Sequence, residues 1–534
     1  MFKQSIFLPI VLSVLFVSCR VGAPPELTQP AELPSPSPLV IITPAISNTL
    51  QVISNTPTSD IPPISTSSLF KISWDDRSVF RDGLVKSEQD VFDRMPGASI
   101  YHINLTISDD LKHVQGQEEV RYTNQEEVPL NEVVFHLYPN MLNGEMTVAS
   151  VTVNSSTVSP TYELKNSLMR VPLASLLPPG GQVIVFFDFA VTVPGYTDNN
   201  YGIFAFEDGV LSLADVYPMI AVYDSRGWNT DVPGNNGDIT YSDASFYIVR
   251  VDAPAKLVIV ASGRETDKEK TVFNQQVTFA AGPARDFYMV ASPNYTLLTG
   301  RAGEVTVNSY APAQWSTHAQ LALDTAVTAI QDYSERYSPY PYTKFDIVTI
   351  TTDSGGVEFP GMTALDIEMY DPQEEFDGEP SGDYLKAITA HEVGHQWFYN
   401  LVGNDQLDEP WLDEALTEYI TWQYYKDLYG AKGNQYYKQA MQESWDEVGG
   451  AKTPIGLPAS TYSEDEYDAI VYGRGALFLD VLANQMGQEK FDQFLRDYVQ
   501  ENAWSNVTAE GLKQLAEKTC ICDLTLLYNE WVYP

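Results

Sequence analysis

Alternation of apolar and polar residues dominates the chain from about Phe70 to Tyr295. HINLTISDDL, GQVIVFFDFAVTV, ASFYIVRVDA, AKLVIVASG and FYMVASPNYTLL are alternating or β-branched runs bounded by Gly, Pro, Asn and Asp, the pattern of strands with one covered face. Few windows of helical period interrupt them, which predicts a largely antiparallel β-sandwich or saddle over residues 69–300. The period changes after Ala302. VTVNSYAP reads as a short strand, Ala319–Ser338 as a helix and FDIVTITT as a further strand. Helical patterns follow from Tyr384 to Leu401, from Glu409 to Leu428 and again beyond Gly475. The fold class is α+β, with a β-rich domain at 69–300 and a mixed, increasingly helical one at 301–534.

The beginning of the chain departs from both patterns. Lys3 precedes an apolar run from Ile6 to Val17, then Ser18 and Cys19. The run falls short of the roughly 20 apolar residues of a comfortable transmembrane helix and has the layout of an export signal. Leu15-Phe16-Val17-Ser18-Cys19 resembles a bacterial lipobox. Residues 1–19 are therefore expected to be a lipoprotein signal, with Cys19 the lipidated mature N-terminus. Residues 20–68 are rich in Pro, Ser and Thr and read as a disordered tether. Together these segments predict a protein held to a membrane by an N-terminal lipid anchor, in the bacterial cell envelope and facing outside the cytoplasm.

Composition narrows the function classes. Hydrophobic residues are 44% and charged ones 19%, enough to bury a core. Thirty-one Lys and Arg stand against 71 Asp and Glu, a formal charge of −40. A surface that acidic repels phosphate backbones and excludes nucleic acid as a partner. Three cysteines form no disulfide scaffold. Cys520 and Cys522 are expected to be a strained or solvent-exposed pair with no catalytic part. The acid-rich stretches DPQEEFDGEP (371–380) and SEDEYD (463–468) lack the twelve-residue calcium-loop pattern and read as solvated loops.

The chemistry concentrates in AITAHEVGHQWFYNL. His391 and His395 are four residues apart, so a helix points both imidazoles at one metal ion, with Glu392 beside them to take a proton from water. The chain holds only six histidines, and Trp397, Phe398, Leu401 and Val402 mark a buried helix, where unpaired imidazoles would be costly. Eighteen residues separate His395 from Glu414 in DEPWLDEALTEY, where Trp411, Leu412 and Leu416 indicate a buried face. Two histidines and a glutamate are a catalytic zinc set with one position left open.

This arrangement, with QWFYNLV and EPWLDEALTEY, resembles the aminopeptidase N family of gluzincin zinc metallopeptidases. The resemblance implies a thermolysin-like catalytic domain holding one zinc ion through His391, His395 and Glu414, with Glu392 as general base. Gly355-Gly356-Val357-Glu358-Phe359 stands at the place of the family's Gly-Ala-Met-Glu-Asn strand, which implies that Glu358 grips the free α-amino group of a peptide. The backbone at Gly355 and Gly356 is expected to pair with substrate as an added strand. Tyr472-Gly473-Arg474-Gly475-Ala476 is similar to the family's Tyr-x-Lys-Gly-Ala, which implies that Tyr472 stabilises the oxyanion. Asp413 stands where members often have Asn. About 60 residues follow Tyr472, which predicts a two-domain enzyme with an open cleft rather than one capped by a further helical domain. The expected activity is removal of the first residue from peptides with a free N-terminus. The alternatives are a zinc endopeptidase, which Glu358 disfavours, and an inactive surface binding lipoprotein, which the full set of ligands, base and tyrosine disfavours.

Overall fold

The alternating segments of the N-terminal half pair into an eight-stranded sheet in the computed structural model, which describes residues 68–234, 236–376 and 379–534. The expected signal, Cys19 and nearly all of the tether lie outside the described residues. Strand order is Arg264–Lys270, Asn274–Ala284, Ser245–Pro254, Ile100–Ile107, His113–Thr123, Gln182–Thr192, Glu145–Val153 and Ser156–Thr157. Neighbours run antiparallel except at the centre, where Ile100–Ile107 lies parallel to Ser245–Pro254. Along Gln182–Thr192 every second residue from Val183 to Val191 is buried, the strand period expressed as a core face. Two four-stranded sheets, including Phe204–Glu207, Val210–Ala214 and Leu130–His136, complete this core.

A five-stranded sheet follows, in the order Tyr295–Ala302, Val305–Pro312, Lys344–Ile350, Met362–Asp366 and Gly356–Phe359. The strand Tyr295–Ala302 spans the sequence division at residue 300 and belongs to this sheet. The sheet is a wall shared by two cores. Phe345, Ile347 and Leu365 pack with the helices that follow, whereas Val348, Ile350, Met362 and Ala364 face the β-rich core. Successive side chains point to opposite faces, so a strand covered on both sides is apolar at nearly every position, as FDIVTI is.

The longer helices are α1 (Ser316–Arg336), α2 (Ser381–Gly394), α3 (Trp411–Tyr429), α4 (Ala431–Glu447), α5 (Gly475–Met486), α6 (Gln488–Asn502), α7 (Ala509–Cys520) and α8 (Thr525–Trp531). Helices α2 and α3 are buried over most of their circumference. Phe478, Leu482, Phe491, Phe494, Leu512 and Tyr528 of α5–α8 join the same core. Arg474 ties the last helix in, donating to the carbonyls of Thr453, Glu530 and Trp531 with its guanidinium 4.5 Å from the Trp531 ring.

Three elements differ from the sequence reading. Helix α2 ends at Gly394, not at Leu401. The buried Arg285 donates to the carbonyls of Tyr399, Asn400 and Leu401, the N–H groups of Asn400, Leu401 and Val402 reach back five residues, and Tyr399 sits at φ 137°. Helix α4 escapes the hydrophobic pattern because its buried face is Gly433, Tyr437, Ala440, Met441 and Ser444. SEDEYD is not a solvated loop throughout. Ser463 and Glu466 cap a helical turn, Glu464–Tyr467, and Tyr467 is buried. Cys520 and Cys522 are joined in a disulfide. Among the described residues, no helix is long and apolar enough to cross a membrane.

Candidate metal centre and substrate cleft

Helices α2 and α3 approach closely because Gly394 lies between the two histidines. A Cβ there would stand 2.9 Å from Thr417 Cγ2 and 3.0 Å from Ile420 Cδ1. The contact sets Glu414 against the imidazole pair. His391 Nε2 and His395 Nε2 are 3.0 Å apart, and each is 3.3 Å from Glu414 Oε2. Three ligand atoms thus converge on one point. The outward nitrogens are held as a metal site requires. His391 Nδ1 lies 2.9 Å from Glu418 Oε2, and His395 Nδ1 lies 3.0 Å from the Phe398 carbonyl. Those contacts keep Nε2 of each ring free for a ligand bond. Burial opposes charge on Glu414, yet the adjacent imidazoles hold its carboxyl far below the usual range.

Glu392 lies on the same helix and faces the edge strand Gly356–Phe359. A Cβ at position 356 would come within 2.6 Å of Glu392 Oε1, so glycine is what allows the carboxylate to lie against the strand. Gly355 precedes it at φ 76°, and its carbonyl accepts from the Asp366 N–H. Burial pushes the Glu392 carboxyl up to about 7, against the pull of His395 and His391. Glu358 projects from the same strand. Gln406 Nε2 bridges Glu358 Oε1 at 3.0 Å and Asp413 Oδ2 at 2.7 Å, while Asn404 Nδ2 holds Asp413 Oδ1 at 2.8 Å. Burial raises Glu358 to about 8, with His395 opposing and Glu392, Glu414 and Asp413 adding repulsion. Gln396, one residue beyond His395, clamps the turn between this strand and the next. Its Oε1 accepts from Gly361 N–H at 2.9 Å and its Nε2 donates to Phe359 O at 3.0 Å.

Tyr472 enters from Asp468–Arg474, a widened π-helical turn of the kind that recurs at functional sites. Its hydroxyl donates to Glu414 Oε1, and its ring centroid lies 5.9 Å from that of His391. Tyr472, Gly356, Glu358, Glu392 and the three metal donors line one cavity of about 180 Å³, together with Tyr399, Asp238, Tyr467 and Asp468. Gly355 borders the strand without lining it. Sequence reasoning missed Glu418, although it lies one helical turn beyond Glu414 on the same face. It also missed Gln406, Asn404 and Asp238, which come from loops and carry no periodic signal.

A mixed sheet followed by two buried helices that present two histidines, a general base and a glutamate defines the gluzincin type of metallopeptidase fold. More particularly, residues 321–531 match the Peptidase family M1 domain. That family implies one catalytic zinc ion, which the donor set fits. The chain is similar to aminopeptidase M1-B of Oryza sativa subsp. japonica, 29% identical over 266 residues that cover 47% of this chain and 29% of the rice protein. It is also similar to endoplasmic reticulum aminopeptidase 1 of Homo sapiens, 25% identical over 41% of this chain and 24% of the human one. The chain spans about a quarter to a third of the length of these curated relatives. In fold it is similar to an M1 zinc metallopeptidase from Deinococcus radiodurans, with a TM-score of 0.60 and 19% identity over 82% of this chain and 93% of that one.

Proposed function

We propose that the protein is a zinc-dependent aminopeptidase that removes the first residue from peptides with a free N-terminus. The observation that carries this reading is the position of Glu358, a buried carboxylate on the edge strand that also faces Glu392, in the same cavity as the metal donors. A zinc ion held by His391, His395 and Glu414 would polarise the scissile carbonyl and lower the pKa of water toward about 7. Glu392 takes the proton of the attacking water and returns it to the leaving amine. Tyr472 donates to the developing oxyanion, a contact of the kind worth about 2.7–4 kcal/mol in a transition state. Glu358 pairs with the substrate ammonium and fixes the register, so that cleavage falls after one residue. The edge strand, paired on one side only, leaves its other side open for an extended substrate near Gly355 and Gly356. A related structure has been solved with a Tyr-Ser-Ala substrate, at 20% identity and a TM-score of 0.58.

The test is hydrolysis of aminoacyl arylamides and of their N-acetylated counterparts, before and after chelation. The expected result is turnover of the free-amine set alone, lost with chelator and restored by one equivalent of zinc. Turnover of acetylated substrates would point instead to an endopeptidase, and no turnover in the zinc-loaded protein to a binding role. We further propose, from the sequence of residues 1–68, that Cys19 carries a lipid and that the tether holds the enzyme off a membrane surface in the cell envelope. Labelling by a palmitate analogue in an expressing bacterium, lost in Cys19→Ala, tests this. Labelling that persists in the variant would remove the anchor.

A further inference from the structure

The cavity does not end at Glu358. Tyr399, Asp286 and Asp215 line the same space. Asp215 is 1% exposed, and neither of its carboxylate oxygens has a hydrogen-bond partner. Asp286, equally buried, accepts the Tyr399 hydroxyl on Oδ2 and has nothing on Oδ1. Two buried carboxylates with three unsatisfied oxygens are costly in a folded chain unless something outside it meets them.

The neighbouring cation does not. Arg285 is adjacent in sequence, but its nitrogens are spent on the carbonyls of Ser242, Tyr399, Asn400, Leu401 and Ser505 and on Asn506 Oδ1. Among the described residues no lysine or arginine lines the cavity. A bound metal ion is no better an account. Asp215 and Asp286 belong to none of the groups in which three potential ligands come within bonding distance of one another. The backbone supports a built corner rather than an accident of packing. Tyr399, whose hydroxyl meets Asp286, holds φ 137°, a conformation that a bulky residue adopts only when the surroundings impose it. Burial, with Asp286 adding repulsion, holds the Asp215 carboxyl far above its usual range, and burial lifts Asp286 to about 7 against the pull of the Tyr399 hydroxyl and the Arg285 charge. In both, burial outweighs whatever opposes it, and the Arg285 charge that pulls on Asp286 makes no hydrogen bond to either carboxylate.

We propose that Asp215 and Asp286 receive the cationic side chain of the substrate's first residue, so that the enzyme prefers peptides beginning with arginine or lysine. The inference rests on the aminopeptidase reading above. If Glu358 fixes the ammonium and the bond after the first residue is cut, only the side chain of that residue extends past Glu358 into this corner. A guanidinium supplies several N–H donors, enough to meet the open oxygens of both aspartates.

The test is kcat/KM for arginyl, lysyl, leucyl and glutamyl 4-nitroanilides with the zinc-loaded protein. Arginyl and lysyl substrates are expected to exceed the leucyl one by about tenfold or more, the factor of a charge-assisted bond in a dry site. In Asp215→Asn and in Asp286→Asn the arginyl-to-leucyl ratio is expected to fall toward one, with thermal melting establishing that each variant is folded. A leucyl rate equal to or above the arginyl rate in the unmodified protein overturns the proposal and leaves the aminopeptidase reading standing. A ratio kept by both folded variants overturns the assignment to these residues. Failure to cleave any of the four substrates removes both readings together.

Discussion

The two ends of the cavity are built on opposite principles. At the helix end every ligand has a partner. Glu418 and the Phe398 carbonyl hold the outward nitrogens of His391 and His395, and Tyr472 holds Glu414. At the sheet end Asp215 has no partner and Asp286 has one open oxygen. The difference separates two requirements. A metal site needs rings and carboxylates fixed before the ion arrives. A site for a charged side chain needs its acceptors left empty until the substrate brings the donors.

The largest effect that sharpens this contrast is at Glu392. Glu392→Gln is expected to lower kcat by about 100-fold to 10⁴-fold, the range for a lost general base, while zinc content by metal analysis stays at one per chain. Retained turnover would detach Glu392 from the chemistry. Glu418→Ala comes next. Loss of the residue that orients a ligating histidine is expected to weaken zinc binding by about 10- to 100-fold, read by competition with a chelator. Affinity equal to that of the unmodified protein would mean that the fixed end is not built for metal.

At the other end the expected effect is on stability. Asp286 has its folded pKa raised from 3.8 to about 7, so the folded state keeps a proton that the unfolded state loses. The associated penalty is absent below about pH 3.8 and grows as pH rises toward 7. Asp286→Asn is therefore expected to melt progressively higher than the unmodified protein between pH 4 and pH 7.5. A constant difference across that range would show that the folded protein does not raise the Asp286 carboxyl. The smallest effect is expected at Arg226, which is outside the cavity and 57% exposed, and whose guanidinium meets Asp224, Asp231, Asp405 and Asp408. Solvent screens such pairs, so Arg226→Ala is expected to change stability by about 1 kcal/mol or less and to leave the arginyl-to-leucyl ratio unchanged.

The same contrast governs what could be read from the chain. His391, Glu392, His395 and Glu414 lie on two consecutive helices, where fixed spacing translates into a shared face. Glu358, Gly356 and Tyr472 are legible only through the resemblance to the aminopeptidase N family. The strands themselves announced their faces by alternation, from Val183 to Val191 most plainly. Asp215 and Asp286 carried no such signal, because one follows the strand Val210–Ala214 and the other precedes Tyr288–Ser292, and only the tertiary fold brings them to one cavity. The apolar Trp397-Phe398-Tyr399 continues the helical pattern past the end of α2 at Gly394. The side chain that stops it, Arg285, is more than a hundred residues away. The charge of SEDEYD is exposed at Glu464 and Asp465, while Tyr467 behind them lines the cavity.

The central claim is that one cavity binds a free N-terminus and cuts one residue beyond it. The most direct measurement is mass-spectrometric mapping of products from a single pentapeptide and its N-acetylated form, each incubated with the zinc-loaded protein. The account predicts that the free peptide loses its first residue before any other bond is cut and that the acetylated peptide remains whole. Internal cleavage of the free peptide, or any cleavage of the acetylated one, would contradict it.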